Sequence, residues 1–224
     1  MGLFDIRRKH AMPSAETALP GREEPMPVPP AHFVNGNPLQ GPFPGDLQQA
    51  MFGMGCFWGV ERIFWQREGV FTTAVGYAAG ITPNPTYREV CSGLTGHAEV
   101  ARVTFDPAVT TVDHLLEVFW KTHDPTTLNR QGPDVGTQYR SVIFYHDDEQ
   151  KKLAETYKAK LDKSGAFPSK IVTEISKAPK FYVAEDYHQD YYRNNPNERY
   201  CVFMVRPKVE KFKQVFADKV ADNE

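Results

Sequence analysis

The chain has 224 residues, 41% of them hydrophobic and 24% charged, with a formal net charge of −2 at pH 7. That is enough for a domain with a substantial core, and too close to neutrality for nucleic acid or an anionic membrane to be an expected partner. No apolar run approaches the roughly 18 residues of a membrane span.

Residues 1–16 lack the apolar centre of a secretory leader, so a cytoplasmic protein is expected. The Met1-Gly2 start carries Ile6 where a myristoylation signal wants Ser or Thr, and Arg7-Arg8-Lys9 is a short, solvated basic cluster. Three cysteines, Cys56, Cys91 and Cys201, form no CxxC pair, which argues against a disulfide framework and structural zinc. No metal site is expected.

Half of the eighteen prolines precede residue 45, so residues 1–46 read as a proline-rich extension, with Phe33, Val34, Leu39 and Phe43 as apolar anchors. The expectation is a strap wrapped over a catalytic domain of residues 47–224. "QQAMFGMG" then predicts a strand with Ala50, Phe52 and Met54 on one face and Met51 on the other. "CFWGVERIFWQREG" predicts a helix with Phe57, Val60 and Phe64 on one stripe and Gly69 as its stop. Strands follow at "VFTTAVGYAAG" and "HAEVARVTFDP", separated by the turn-rich "ITPNPTY".

Thr111 caps a predicted helix through "TVDHLLEVFWKTHD"; "QYRSVIFYH" predicts a strand and "DDEQKKLAETYKAKLDKSG" a charged helix. "KIVTEIS" predicts another strand, residues 184–193 a short helix, and "KVEKFKQVFADKV" the last helix. The irregular alternation favours an α+β fold, a two-layer α/β sandwich with a mixed, ferredoxin-like sheet and extended terminal segments.

The chemistry centres on "MGCFWGVER". Gly53, Gly55 and Gly59 miss the dinucleotide fingerprint by one residue, and the next strand ends without the carboxylate a ribose needs. Cys56 at a helix start is either a buried structural thiol or a nucleophile whose thiolate the helix dipole favours, with Gly55 giving space to a substrate. Glu99 lies on a strand face shared with Ala101 and Val103, where a carboxyl is either solvated or pushed to high pKa.

Tyr87 and Tyr139 flank turns and are either packing residues or phenols aimed into a cleft; Asp134 sits in a Gly/Pro loop. His188 lies among Glu185, Asp186 and Asp190, which fits a charged surface helix, a metal site or the base of a cysteine hydrolase, though the spacing matches neither H-E-x-x-H nor a second histidine ligand. Cys91 reads as a structural, helix-end thiol. Cys201, after the turn-rich "RNNPNERY", is either a buried strand residue or a thiol that a mobile segment carries to another.

The blocks "GCFWGVE", "GYAAG", "NPTYREVCSGLTGHAEVARVTFDP", "HDPTTLNRQGPDVGTQYRSVIF" and "AEDYHQDYY" resemble peptide methionine sulfoxide reductase of the A type, over about residues 47–206. The resemblance implies an oxidoreductase that reduces the S epimer of methionine sulfoxide, free or in proteins. It implies Cys56 as nucleophile, Glu99 as acid, and Tyr87, Tyr139 and Asp134 as groups that hold the sulfoxide.

It also implies that Phe57 and Trp58 receive the methyl group, that His188 lines the pocket, and that Cys201 forms a disulfide with Cys56. No bound cofactor is implied; thioredoxin supplies the reducing equivalents to a monomer. The chain departs from some members in having no second cysteine beyond Cys201, where a further helix is predicted instead.

Overall fold

The computed structural model describes residues 10–216. The basic cluster at residues 7–9, the myristoylation position at residues 1–6 and the end of the last predicted helix, residues 217–220, lie outside the described residues.

The elements are β1 (Gln48–Met54), α1 (Phe57–Trp65), β2 (Val70–Ala78), α2 (Tyr87–Cys91), β3 (Ala98–Phe105) and α3 (Val112–Thr122). The two-residue strands β4 (Arg130–Gln131) and β5 (Asp134–Val135) follow, then β6 (Ser141–Tyr145), α4 (Asp148–Ser164), β7 (Glu174–Lys177) and β8 (Phe181–Val183). A short α5 (Tyr191–Asn194) and α6 (Arg206–Val215), entered through a π turn at Cys201–Val205, complete the described elements.

Six strands form one sheet in the order β7-β6-β1-β3-β2-β8, antiparallel except for the β6–β7 pair. It is the expected α+β arrangement with a mixed sheet. The inner four strands follow a β-α-β-β-α-β chain order, β1-α1-β2 and β3-α3-β6, with α2 between the halves. The alternation of β1 separates two layers. Ala50, Phe52 and Met54 face a core closed by Phe64 of α1, Phe119 of α3, Ala154 of α4 and Phe212 of α6. Met51 faces the opposite layer, with Val100, Val142 and Phe144.

Residues 10–46 lie against the sheet through backbone and side-chain hydrogen bonds. Arg102 donates to the Leu39 carbonyl at 2.8 Å, Asn37 Nδ2 donates to the Phe71 carbonyl at 2.6 Å, and Leu39 is buried.

Several elements differ from the sequence reading, each for a local reason. Phe57 leaves the α1 stripe and joins Tyr77, Val90 and Ala184 in a separate cluster, because it is the first residue of the helix. The strand expected over "KIVTEIS" begins only at Glu174, since the Ile171 and Val172 N–H groups are taken by Asp162 Oδ1 and the Pro125 carbonyl. The helix expected over residues 184–193 is broken at Asp190, whose φ is +55°, where its own N–H donates to Glu61 and its carboxylate accepts from the Phe33 N–H. Cys201 lies in a helical turn and not in a strand.

Strand β8 positions residues 184–190, and Gly76 of β2 makes its approach possible. A Cβ at Gly76 would stand 2.3 Å from the Tyr182 carbonyl oxygen, which is backbone and cannot swing aside. Gly76→Ala is therefore expected to cost about 1–3 kcal/mol of stability, the usual range for overpacking, and to lower activity by loosening residues 184–190. Thermal melts with parallel rate measurements check this; an unchanged melting temperature would show that β8 pairing does not depend on that contact.

Candidate active site

Cys56 occupies the N-cap of α1, with φ −52° and ψ 122°, and its thiol is buried. Gly55 before it adopts φ +88°, and a Cβ there would stand 2.6 Å from Gln131 Cβ. Its small size thus accommodates the β4 hairpin, and the space expected for a substrate is taken by Gln131. The first free N–H of the helix, from Phe57, donates to Glu99 Oε2 at 3.2 Å across from β3. Glu99 is itself 1% exposed, and its Oε1 has no hydrogen-bond partner among the described residues.

Burial sets the protonation of this pair. It raises the Glu99 carboxyl to about 8, against the opposing pull of the Phe57 N–H. It also pushes the Cys56 thiol well above its ordinary value, the neighbouring Glu99 adding to the effect. This corrects the expectation of a thiolate stabilised by the helix start. A helix terminus contributes typically 0.3–1 kcal/mol, less than the about 1.4 kcal/mol of one pKa unit, whereas full burial moves a group by up to about 3–5 units. The resting site holds a neutral thiol beside a neutral carboxyl.

Two phenols border the pair. Tyr87 opens α2, where Thr86 and Glu89 form a capping box and the Tyr87 N–H donates to Glu185 Oε1 at 2.7 Å. Tyr139 ends the 3-10 turn Thr137–Tyr139 that leads into β6. Burial and the Glu99 carboxyl hold both hydroxyls far above the ordinary phenol range, so both stay protonated donors. A cavity of about 190 Å³ is bounded by Cys56, Trp58, Tyr87, Tyr139, Tyr191 and Tyr200, with exposed Glu198 at its rim.

The structure places the remaining sequence candidates around this cavity in different ways. Trp58 forms a wall and stacks on Tyr191 at a centroid distance of 3.8 Å. Phe57 lies fully buried behind the wall, 5.8 Å from the Tyr77 ring. His188 also stands behind it: Nδ1 accepts the Trp58 indole N–H at 3.0 Å, which leaves the ring proton on Nε2, 3.9 Å from Glu185. Burial lowers the His188 pKa to about 4, so the imidazole is neutral and orients the indole. A thiol–imidazole pair of the hydrolase kind is not what this geometry supplies.

Asp134 of β5 accepts a 2.5 Å hydrogen bond from the Tyr200 hydroxyl. Cys201 is fully buried on the other side of the same segment, packed with Val205, Val209 and Trp58, its thiol pushed up to about 11 chiefly by burial. None of the three cysteines is in a disulfide, and Cys91 closes α2. Sequence reasoning misses Tyr191, Glu198 and Tyr200. The signal for them is the concentration of tyrosines in "DYYRNNPNERYC", a stretch whose turn residues dominate its pattern.

Among the described residues, one group of three metal-ligand types converges: His32, Glu61 and Asp190. His32 Nδ1 accepts the Val34 N–H at 3.2 Å, so the neutral ring carries its proton on Nε2, 2.9 Å from Thr73 Oγ1 and 3.0 Å from Asp190 Oδ1. A metal would need that nitrogen's lone pair. Thr73 in turn donates to Glu61 Oε1 at 3.3 Å, and burial raises both carboxyls, Asp190 to about 6. The cluster shares protons and ties the N-terminal segment to the helix that carries Cys56.

The chain matches the family model described as "Peptide methionine sulfoxide reductase" over residues 48–220. It is 59% identical over 205 residues to "Peptide methionine sulfoxide reductase MsrA" of Rippkaea orientalis, covering 90% of this chain and 93% of the relative. A relative of the same name from Pseudomonas aeruginosa is 58% identical over 200 residues, 88% of this chain and 92% of its own. Among solved structures, methionine sulfoxide reductase A of Corynebacterium diphtheriae superposes with a TM-score of 0.74 at 42% identity, over 83% of this chain and 92% of that one. Mxr1 of Saccharomyces cerevisiae in reduced form gives 0.66 at 38% identity, over 71% and 91%. The chain therefore belongs to the peptide methionine sulfoxide reductase family of oxidoreductases, in its A type.

Proposed function

We propose that the chain reduces the S epimer of methionine sulfoxide, free and in oxidised proteins, with Cys56 as the nucleophile and Glu99 as the acid. The observation that carries this reading is Glu99. A buried carboxyl with a pKa near 8, one oxygen pinned by the Phe57 N–H and the other without a partner, is a proton donor held beside a thiol. A sulfoxide sulfur is a poor electrophile until its oxygen is protonated or strongly hydrogen-bonded. Glu99 gives that proton, and the Tyr87 and Tyr139 hydroxyls and Asp134 hold the sulfoxide.

Cys56 then attacks sulfur, forming an S–S bond to the substrate, and passes its proton to the Glu99 carboxylate. The substrate oxygen leaves as water with the Glu99 proton, and that water adds to Cys56 Sγ as the S–S bond breaks, returning a proton to Glu99 and releasing methionine. Cys56–SH and sulfoxide have become Cys56–SOH and sulfide, with Glu99 again neutral. The methyl group sits against Trp58, backed by Phe57 and steadied by His188, which fixes methyl, oxygen and nucleophile around one pyramidal sulfur and so selects one epimer. Cys201 condenses with the sulfenic acid, releasing water and leaving a Cys56–Cys201 disulfide. Two thiols carry the electrons, so the chemistry asks for no bound cofactor.

A dithiol protein of the thioredoxin kind, with a potential near about −270 mV, can reduce that disulfide. We read the protein as a cytoplasmic, monomeric repair enzyme, with residues 47–224 as the catalytic unit and the preceding segment as its strap. Among the described residues no helix is long and apolar enough to cross a membrane.

The test mixes reduced protein with one equivalent of methionine sulfoxide. Stoichiometric methionine and a Cys56–Cys201 disulfide by peptide mass mapping are expected, with continued turnover once thioredoxin and its reductase are supplied. Cys201→Ser is expected to release one methionine and then stop. Sustained turnover of that variant under thioredoxin would assign recycling elsewhere.

A further inference from the structure

The segment that carries Cys201 also carries the residue nearest to occupying the sulfoxide site. The Tyr200 hydroxyl donates to Asp134 Oδ2 at 2.5 Å and lies within hydrogen-bonding reach of the Cys56 thiol. Its ring meets Trp58 edge-on at 5.5 Å, 84° between planes. Three groups assigned above to the substrate, namely Cys56, Trp58 and Asp134, are thus all engaged by one phenol. The remaining space, about 190 Å³, is smaller than the roughly 300–1,000 Å³ common for ligand pockets.

A phenol has one proton and two potential acceptors here. The short bond to a carboxylate is charge-assisted and the stronger of the two. That proton is committed to Asp134, which fixes the phenol in the cavity beside Cys56. Tyr200 and Cys201 are adjacent and share one anchor. Both backbone N–H groups donate to Glu198 Oε2, at 2.7 and 3.3 Å, and Arg206 donates across the turn to the Pro196 carbonyl at 3.1 Å. A displacement of Tyr200 would act on the backbone of Cys201, which packs against Val205, Val209 and Trp58. The π turn beginning at Cys201 supplies a helix end that is already irregular.

We infer that Tyr200 is an internal occupant of the sulfoxide site, latched to Asp134, whose displacement by the sulfoxide side chain unmasks Cys56 and releases Cys201 in the same movement. The latch keeps the reactive thiol covered when no substrate is present, and makes the recycling thiol available only once a sulfoxide has entered. This rests on the sulfoxide reading of the site for its ligand, but its first arm needs no ligand.

In reduced full-length protein without substrate, Tyr200→Phe keeps the ring and removes the latch. Alkylation of Cys56 by iodoacetamide, followed by peptide mass mapping with Cys91 as internal reference, is expected to accelerate about tenfold, the size of one lost charge-assisted hydrogen bond. The second arm uses Cys56→Ser, which binds methionine sulfoxide without turning it over. Saturating sulfoxide is expected to speed alkylation of Cys201 several-fold. In Cys56→Ser/Tyr200→Ala, that rate is expected to be high already and indifferent to sulfoxide. Cys56 in Tyr200→Phe alkylated no faster than in the parent protein would overturn the latch. Cys201 remaining equally protected when calorimetry shows the sulfoxide bound would overturn the coupling. Failure of the sulfoxide to bind at all would count against the proposed substrate, while the first arm would still decide the latch.

Discussion

Cys56→Ser is expected to lower the first-turnover release of methionine by at least about 10⁴-fold, the scale on which removal of a covalent nucleophile acts. The loss should fall on the chemical step while sulfoxide binding persists, because the Tyr87 and Tyr139 hydroxyls, Asp134 and the Trp58 wall stay in place. A serine hydroxyl in this site meets the same burial that already raises the thiol, from a far weaker starting acidity. Rapid-quench measurement of methionine, with sulfoxide affinity determined separately by calorimetry, distinguishes loss of chemistry from loss of fold. Activity within tenfold of the parent would remove Cys56 from the reaction.

Glu99→Gln is the second large effect. The amide retains size and can donate a hydrogen bond but has no acidic proton, so the first turnover is expected to slow by about 10²–10⁴-fold, the range for general acids. The pH dependence follows from the raised pKa. With a value near 8, Glu99 is about nine-tenths protonated at pH 7 and falls about tenfold per unit well above pH 8. The parent's first turnover should carry a descending alkaline limb near pH 8 that Glu99→Gln lacks.

Stability gives an independent reading of the same proton. A folded-state pKa raised above the unfolded one contributes stability that is fully present below the unfolded value, near 4.5, and lost as pH rises through about 8. Glu99→Gln should therefore melt higher than the parent at pH 9, with the difference shrinking towards pH 4.5. A variant less stable than the parent at pH 9 would show that the carboxylate is well solvated in the fold.

Much of the architecture was legible because local signals agreed with burial. The alternation of β1 correctly assigned Ala50, Phe52 and Met54 to one layer and Met51 to the other. Thr111 caps α3 as expected, and α4 carries Asp148 and Glu149 in its first turn and Lys163 in its last, following the charge pattern. Distant partners decided the features that could not be read. Asp190 breaks a helical stretch because Glu61 and Phe33 claim its backbone and carboxylate, and neither residue is near it in sequence. Strand β8 is three residues long and exists because Gly76 admits it.

At the site, the residue types were readable from the motifs, but their electrostatics were not. Helix-start logic favoured a thiolate at Cys56; burial and the neighbouring Glu99 carboxyl reverse that, against the opposing hydrogen bond with Tyr200. Tyr200 stayed hidden because its importance arises from an Asp134 that lies 66 residues away. His188 sat in an acidic run that suggested a base, whereas its ring serves as acceptor for the Trp58 indole.

The most direct test of a Cys56–Glu99 reductase is made on Cys201→Ser, in which the first chemical product cannot be resolved. The reduced variant is mixed with one equivalent of the S epimer of methionine sulfoxide, methionine is quantified, and the Cys56 peptide is weighed after trapping sulfenic acid with dimedone. One methionine per chain and the trapped adduct on Cys56 are expected, with neither product from the R epimer. Methionine released without modification of Cys56, or an adduct on Cys91 in its place, would contradict a mechanism centred on Cys56.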